Sequence, residues 1–504
     1  MKKNKMKKII ALLLLVVMAF TMVACQPQNT PTPNPPSDGT TPTPGGDGET
    51  EKPAPEKVRY ELPEGGYDGS EVTITFSHTM GESLRNVLDQ YIERFNEIYP
   101  NITVEHSQVG GYDEVRDQIK TELTAGNQPN IAYCYPDHVA LYNVTKKVIP
   151  LDNFIESQIE DSATGGIIGL TAEQIADFIP GYYAEGTVFD EAGTMYTMPL
   201  SKSTEVLYYN KTFFDANGLS VPTTWEELEA VCRQIKAIDP NNVALGYDSE
   251  SNWFITMCEQ YGSNYTSIDK DDHFLFNNKT NREFVKEFRS WYADGLFTTQ
   301  ELYGAYTSGL FTNTDPEKPS CYMCIGSTGG ASHQIPTAID GVYPFEVGIA
   351  PLPQVDPSNP KAISQGPSVC IFDQTGDKDG YDNAQEVVAS WLFVKYLCTT
   401  PEFQAAFSKT SGYMPVINSA KEVQSYAEWL DKANGTNNLA ALVIKTALEN
   451  SDYYFVSPAF NGSSKARDQV GELLKYCLTT PAADVDAMIL QAFKDAITEC
   501  LADL

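Results

Sequence analysis

The 504-residue sequence is short of positive charge and of histidine: 35 Lys and Arg stand against 67 Asp and Glu, with five His. A formal net charge of −32 repels polyanions, which excludes nucleic acid and an anionic lipid face as electrostatic partners. Hydrolase signatures are missing too. There is no Gly-x-Ser-x-Gly, no His-Glu-x-x-His, and no glycine-rich loop ending in Gly-Lys-Ser or Gly-Lys-Thr, so serine-hydrolase, zinc-protease and nucleotide-hydrolysing chemistry find no support. A polysaccharide hydrolase needs two opposed carboxylates, and nothing singles out a pair among so many acids. Cys321-Tyr-Met-Cys324 has zinc-ribbon spacing, but no second pair or paired histidines complete a site. Its apolar surroundings read as a core strand. No internal repeat is present, and no cofactor motif. The unbroken apolar run Ile9 to Phe20 is shorter than the roughly 20 residues that span a bilayer.

That run has a different meaning when read with its flanks. Lys2, Lys3, Lys5, Lys7 and Lys8 precede it, which makes residues 1–24 an export signal. Met22-Val23-Ala24-Cys25 then resembles the bacterial lipobox, which implies lipidation at Cys25 and anchoring at the extracellular face of the cell membrane. Met22 and Val23 depart from its commonest form. From Gln26 to Glu56 the chain carries nine prolines and four glycines among Thr, Asp and Glu, a composition that cannot bury enough apolar surface to fold. The segment 25–67 is therefore expected to be the lipidated cysteine and a tether, reaching on the order of 100 Å in polyproline form. Once the five signal lysines are removed from the 35 basic residues, 30 remain against 67 acids, a charge near −37. Nine cysteines follow Cys25, an odd number without a disulfide rhythm, expected to be buried thiols or to sit in a reducing environment.

The remainder is too long for one hydrophobic core and suggests two domains. Val72, Ile74 and Phe76 alternate as a half-buried strand does. Leu84, Val87, Leu88, Tyr91, Ile92, Phe95 and Ile98 recur at helical spacing up to Pro100. Ile102 and Val104 begin a strand, Asp113 to Ala125 a helix stopped by Gly126, and Ile131 to Tyr135 another strand. This alternation predicts an open α/β sheet with ligand outside the carboxyl ends of its strands. Farther on, Thr224-Trp-Glu-Glu227 is a capping box, Thr400-Pro401-Glu402 opens a helix, and Val387 to Leu397 has the period of a helix packed on a sheet.

Several segments in order resemble the family 1 extracellular solute-binding proteins, the maltose and glycerol-phosphate type. They are Phe76 to Met80, Leu123 to Ile131, Met198 to Lys211, Pro222 to Leu228, Ile325 to Gly329, Val347 to Pro353 and Ser411 to Val416, spread over about 340 residues. The resemblance implies a type II periplasmic-binding-protein fold: two discontinuous α/β lobes joined by crossover strands, closing on ligand like a hinge. Lobe one would comprise 68–203 plus 368–430, and lobe two 204–367 plus 431–504, with crossings near Ser203 to Leu207 and Gly366 to Val369. It implies a receptor, not an enzyme, that acts as a monomer and delivers a small solute to ABC permease subunits in trans.

By motif position the cleft residues would be Tyr112, Asp137, Ser203, Ser327, Gly366 and Tyr413, with His78 nearby. Tyr413, beside Gly412 and Pro415, suits stacking on a sugar face, or packing at a loop base. Asp137 suits bidentate acceptance of ligand hydroxyls, or the N-cap of a helix starting at His138. Ser327 lies on a glycine-bearing turn after an apolar strand, and Gly366 fits close backbone approach, a hinge or a plain turn. Thr375 to Glu386 nearly spells a calcium loop, with Thr where the first Asp belongs; it reads as a solvated turn, and no metal is expected. In the glycerol-3-phosphate subgroup, which Phe76 to Met80 and Tyr112 most resemble, a basic residue before the last helices holds phosphate. An ungapped register puts Ala459 there and assigns Lys465 and Arg467 to the following helix, so the expected solute is a neutral sugar or polyol. The alternatives are glycerol 3-phosphate or a glycerophosphodiester and, from other classes, a secreted polysaccharide hydrolase or a surface adhesin.

Overall fold

The structure, a computed structural model, describes residues 55–269, 272–378 and 380–504. The export signal, Cys25 and the tether up to residue 54 lie outside the described residues, and all that is described belongs to the unit Ala54–Leu504.

The last stretch assigned to the tether packs on the domain instead. Lys57 pairs with the buried carboxylate of Asp152 at 2.6 Å, and Arg59 reaches Glu156 at 2.7 Å. Tyr60 stacks on Phe154, and Tyr60, Leu62 and Tyr67 lie against the first core. These apolar side chains give the segment a face to bury, which the Pro/Thr run before it lacks.

Two five-stranded sheets organise the chain. In the first, strands run in the order Ile102–Gln108, Val72–His78, Ile131–Cys134, Ser368–Ile371, Met198–Pro199. The first three are parallel and Ser368–Ile371 is antiparallel to both of its neighbours. The expected helix is Glu82–Ile98, burying Leu88, Tyr91, Ile92 and Phe95. The next, Tyr112–Ala125, ends at Gly126 in the left-handed conformation, as read. Helix Ala384–Thr399 buries Val387 through Val394 without interruption, so it lies inside the core rather than merely against one face. Trp391, fully buried there, donates its indole N–H to the Ile168 carbonyl at 2.9 Å.

The second sheet has the order Val347–Pro351, Glu205–Asn210, Cys321–Ser327, Val243–Tyr247, Phe297–Thr299. The capping box forms as expected: Thr224 accepts from the Glu227 N–H at the start of helix Trp225–Ile238. Trp253 stacks on Tyr247 at 4.7 Å and on Trp225 at 5.9 Å in the centre of this second core. Both Cys321 and Cys324 are buried on their strand, and all nine described cysteines are buried free thiols.

Where the chain passes between the sheets, its segments are laced together. Ser203 and Gln365 exchange two backbone hydrogen bonds at 2.8 Å, and Lys202 exchanges two with Met414. A short parallel pair, Ala362–Ile363 with Tyr454–Phe455, adds a third strand of connection. The Lys202 ammonium is fully buried here and ion-paired with Glu185; it also donates to Ser368 Oγ at 3.0 Å and to the Gly366 carbonyl at 3.3 Å. Gly366 has φ +93°, and a Cβ there would meet backbone atoms of Ser201, Lys202 and Ser203 within 2.9 Å, so glycine is required for the approach.

Candidate functional site

A narrow, partly open cavity lies between the two sheets. Tyr135, Pro136 and Asp137 line it from just beyond the carboxyl end of strand Ile131–Cys134, where an open α/β sheet is expected to receive ligand. Ile255 and Tyr265 line it from the second body, Ile363, Ser364 and Gln365 from one crossing segment, Val456, Ser457 and Pro458 from another, and Ser463 and Arg467 from helix Ser463–Thr479. Most of this wall is apolar or aromatic, which suits the C–H faces of a polyol.

Three of its polar atoms lack partners. Among the described residues, Asp137 Oδ2, Tyr265 OH and Ser364 Oγ are buried with no hydrogen bond. Each such atom is a liability of about 1–3 kcal/mol unless something accepts or donates there. Three of them on separate segments around one cavity form a ready-made set of contacts for hydroxyl groups. Asp137 is not a helix cap: the helix is Pro136–Tyr142 with Tyr135 at its N-cap. Proline has no N–H to offer and takes the first helical position, which moves Asp137 into the first turn.

Behind Tyr135 lies a second aromatic layer. Tyr112 stacks on it at 4.5 Å, and the Tyr112 and Tyr413 hydroxyls meet at 3.2 Å. Burial pushes the phenols of Tyr112, Tyr133 and Tyr135 well above their ordinary range, so all stay protonated. The Tyr413 ring lies against Gly329, where a Cβ would come within 2.8 Å of it, and so closes the gap between the two bodies. Arg116 spans the same gap, donating to Ser464 Oγ at 3.2 Å and pairing with Asp468 at 3.5 Å.

The motif residues therefore divide. Asp137 lines the cavity, while Tyr112 and Tyr413 back it. Ser203 and Gly366 are built into the crossing strands. Ser327 caps its own turn, its Oγ accepting from the Gly329 N–H at 3.1 Å. His78 is fully buried away from the cavity wall. Its Nδ1 accepts from the Met80 N–H and its Nε2 meets His106 Nδ1 at 2.9 Å, while burial lowers its pKa to about 3, so it is a neutral structural link. Ala459 is buried and carries no charge, as its register implied. Arg467, however, reaches the cavity from within the following helix, which corrects the expectation of a wall without a cation. Tyr265 and Ser364 had no motif to mark them; the register sets Arg467 aside as part of the following helix, although its position one turn after Ser463 on the same face allows both to reach the wall.

Arg467 is held from behind. One guanidinium nitrogen donates to Asn252 Oδ1, and Asn252 Nδ2 donates to Glu205 Oε1 at 2.9 Å. Burial pushes the Glu205 carboxyl up to about 7, against the opposing influence of its hydrogen bonds and of Arg467. Among the described residues no group of three or more His, Cys, Asp or Glu is placed to hold a metal ion; Asp377, in the calcium-like turn, is taken by Lys147 and Gln128.

The model of the bacterial extracellular solute-binding proteins matches residues 90–434, well over half of the chain. The chain belongs to that family. Among curated relatives it is similar to the sn-glycerol-3-phosphate-binding periplasmic protein UgpB of Salmonella typhimurium, 24% identical over 380 residues, covering 72% of this chain and 79% of that one. The UgpB of Escherichia coli K12 gives the same identity over 381 residues. Among solved structures, UgpB from Mycobacterium tuberculosis in complex with glycerophosphocholine superposes with TM-score 0.64 at 18% identity, covering 86% of this chain and 98% of that one. The GacH receptor of Streptomyces glaucescens gives 0.63 at 16% identity, with the same coverage. This bacterial extracellular solute-binding protein thus has the expected two-lobed type II fold, and among its described residues no helix is long and apolar enough to cross a membrane.

Proposed function

We propose that this solute-binding protein is the receptor of an ABC importer, that it captures a carbohydrate-like neutral sugar or polyol between its lobes, and that it hands the solute to permease subunits in trans. The observation that carries the ligand class is the set of unpartnered Asp137, Tyr265 and Ser364 polar atoms on an otherwise apolar wall. One carboxylate and one guanidinium leave that wall without net charge, which favours a neutral ligand rich in hydroxyls. Lobe one, 68–203 with 368–430, and lobe two, 204–367 with 431–504, close as jaws about the crossing strands. In this reading Asp137 touches the solute, Tyr112 and Tyr413 brace Tyr135, Ser203 and Gly366 belong to the hinge, and Ser327 and His78 shape the adjoining loops. The protein works as a monomer and performs no catalysis. Cys25 carries the lipid that holds it at the extracellular face of the membrane.

Arg467 favours a second reading, a glycerol phosphate or glycerophosphodiester, because a guanidinium matches a phosphate better than any other side chain. Calorimetric titration with maltose, glycerol, sn-glycerol 3-phosphate and sn-glycero-3-phosphocholine separates the two. Tighter binding of a neutral compound, weakened in Asp137→Asn, is expected; tighter binding of a phosphate, lost in Arg467→Ala, replaces the first reading with the second. A wild-type protein without lipid by intact mass, or Cys25→Ser protein that stays in the membrane fraction to the same extent, overturns the anchor.

A further inference from the structure

Glu205, Asn252 and Arg467 come from three elements: strand Glu205–Asn210, helix Glu250–Gln260 and helix Ser463–Thr479. Glu205 is 3% exposed and Asn252 2% exposed, yet every polar atom of both side chains is used. Glu205 Oε2 accepts from the Tyr247 hydroxyl at 2.6 Å, and Oε1 accepts from Asn252 Nδ2 at 2.9 Å. With the amide nitrogen of Asn252 turned to Glu205, its oxygen faces the other way, toward the Arg467 guanidinium. The Asn252 backbone is fixed in turn by the helix cap, its N–H donating to Ser249 Oγ. Among the described residues Asn252 is the one hydrogen-bonding partner of Arg467, which leaves most of the five guanidinium donors free for the cavity.

Placing an amide between the two charges has a chemical consequence. A carboxylate in direct contact with Arg467 would neutralise it and compete with any anion for the same donors. A neutral amide positions the guanidinium while the balancing charge stays one residue back.

We infer that Asn252 and Glu205 are positioning residues that hold Arg467 as the recognition group for a phosphoryl oxygen of the solute, and that they couple its binding to proton uptake. This rests on the second reading of the site. The groups facing Glu205 are Tyr247 on its own sheet, Asp248 after that strand, Asn252 and Arg467; those acting on Arg467's surroundings also include Asp137 and Asp468. An anion at Arg467 draws off part of the guanidinium's support for ionised Glu205. The carboxyl, already raised to about 7 by burial, then takes up a proton, so the anion binds more weakly as pH rises through that value.

The test titrates wild type, Arg467→Ala, Asn252→Ala and Glu205→Gln with sn-glycero-3-phosphocholine at about pH 6 and about pH 8, on either side of the Glu205 value. This diester keeps a single phosphate charge across the range, so the probe itself adds no pH dependence. Wild-type affinity is expected to fall by about threefold or more between the two, Asn252→Ala to lose about tenfold, and Glu205→Gln to lose the pH dependence. Glu205→Gln keeps the side-chain shape and decides the matter alone if Asn252→Ala does not fold. Binding lost in Arg467→Ala but with wild-type affinity and pH profile in both other variants overturns the inference while leaving the phosphate reading intact. Wild-type protein that does not bind the diester overturns both.

Discussion

Lys202→Met is the sharpest test of how the crossing segments are held together. The ammonium is 0% exposed and its partner Glu185 2% exposed, so screening by water does not weaken the pair. Methionine fills nearly the same volume but removes the charge and its hydrogen bonds to Ser368 and Gly366. Removing one member of a buried pair typically costs about 3–5 kcal/mol, because the other is stranded in a medium that solvates it poorly. The pair as a whole is worth far less than that, since desolvating both charges offsets most of their attraction. Urea unfolding of ligand-free protein, extrapolated to water, should therefore show Lys202→Met destabilised by about 3–5 kcal/mol, and Lys202→Met/Glu185→Leu within about 1–2 kcal/mol of wild type. The measurement is a double-mutant cycle in which the coupling exceeds either single effect alone. A single-mutant loss below about 1 kcal/mol, or a double mutant as unstable as the single, would refute the idea that a stranded carboxylate dominates.

Gly366→Ala should destabilise by at least about 2 kcal/mol in the same assay, since its positive φ disfavours an L-residue and the added methyl meets unyielding backbone. Glu205 holds a proton in the folded state up to about pH 7 that the unfolded chain releases near 4.5. Its contribution is thus fully present below the lower value and fades as pH rises through the upper one. Roughly 3 kcal/mol is lost across that window, a slope that Glu205→Gln should remove from a stability-versus-pH series. Tyr60→Ala should free residues 57–67 from the domain, seen as faster limited proteolysis there with little change in the urea midpoint.

What was legible in the sequence was whatever its local physics decides. The spacing of Leu84 to Ile98, the Thr224 capping box and the glycine stop at Gly126 each specify an element within a few residues of chain, and each formed. Asp137 was legible as a residue of the cavity wall because it follows a buried strand directly, at the end where such sheets bind. Tyr265, Ser364 and Arg467 were not, because what makes them wall residues is a convergence of segments hundreds of residues apart in sequence. Periodicity carries no record of that convergence. Tyr413 and Ser327 show the converse: a motif marks their neighbourhood but not their depth, and they stand a layer behind the wall or turned into their own loop. The tether boundary failed for a simpler reason, since composition averaged over the Pro-rich run hid the apolar anchors Tyr60, Leu62 and Tyr67 at its end.

The nine buried thiols have a practical corollary. Alkylating reagents reach a cysteine only when it is exposed, and every described one is shut inside a core. A single cysteine introduced at an exposed position of each lobe, such as Glu82 and Glu226, would accept a dye pair selectively once Cys25 is replaced, with the nine buried cysteines left in place. The distance between the dyes then reports opening and closing directly in the full-length chain, solute by solute.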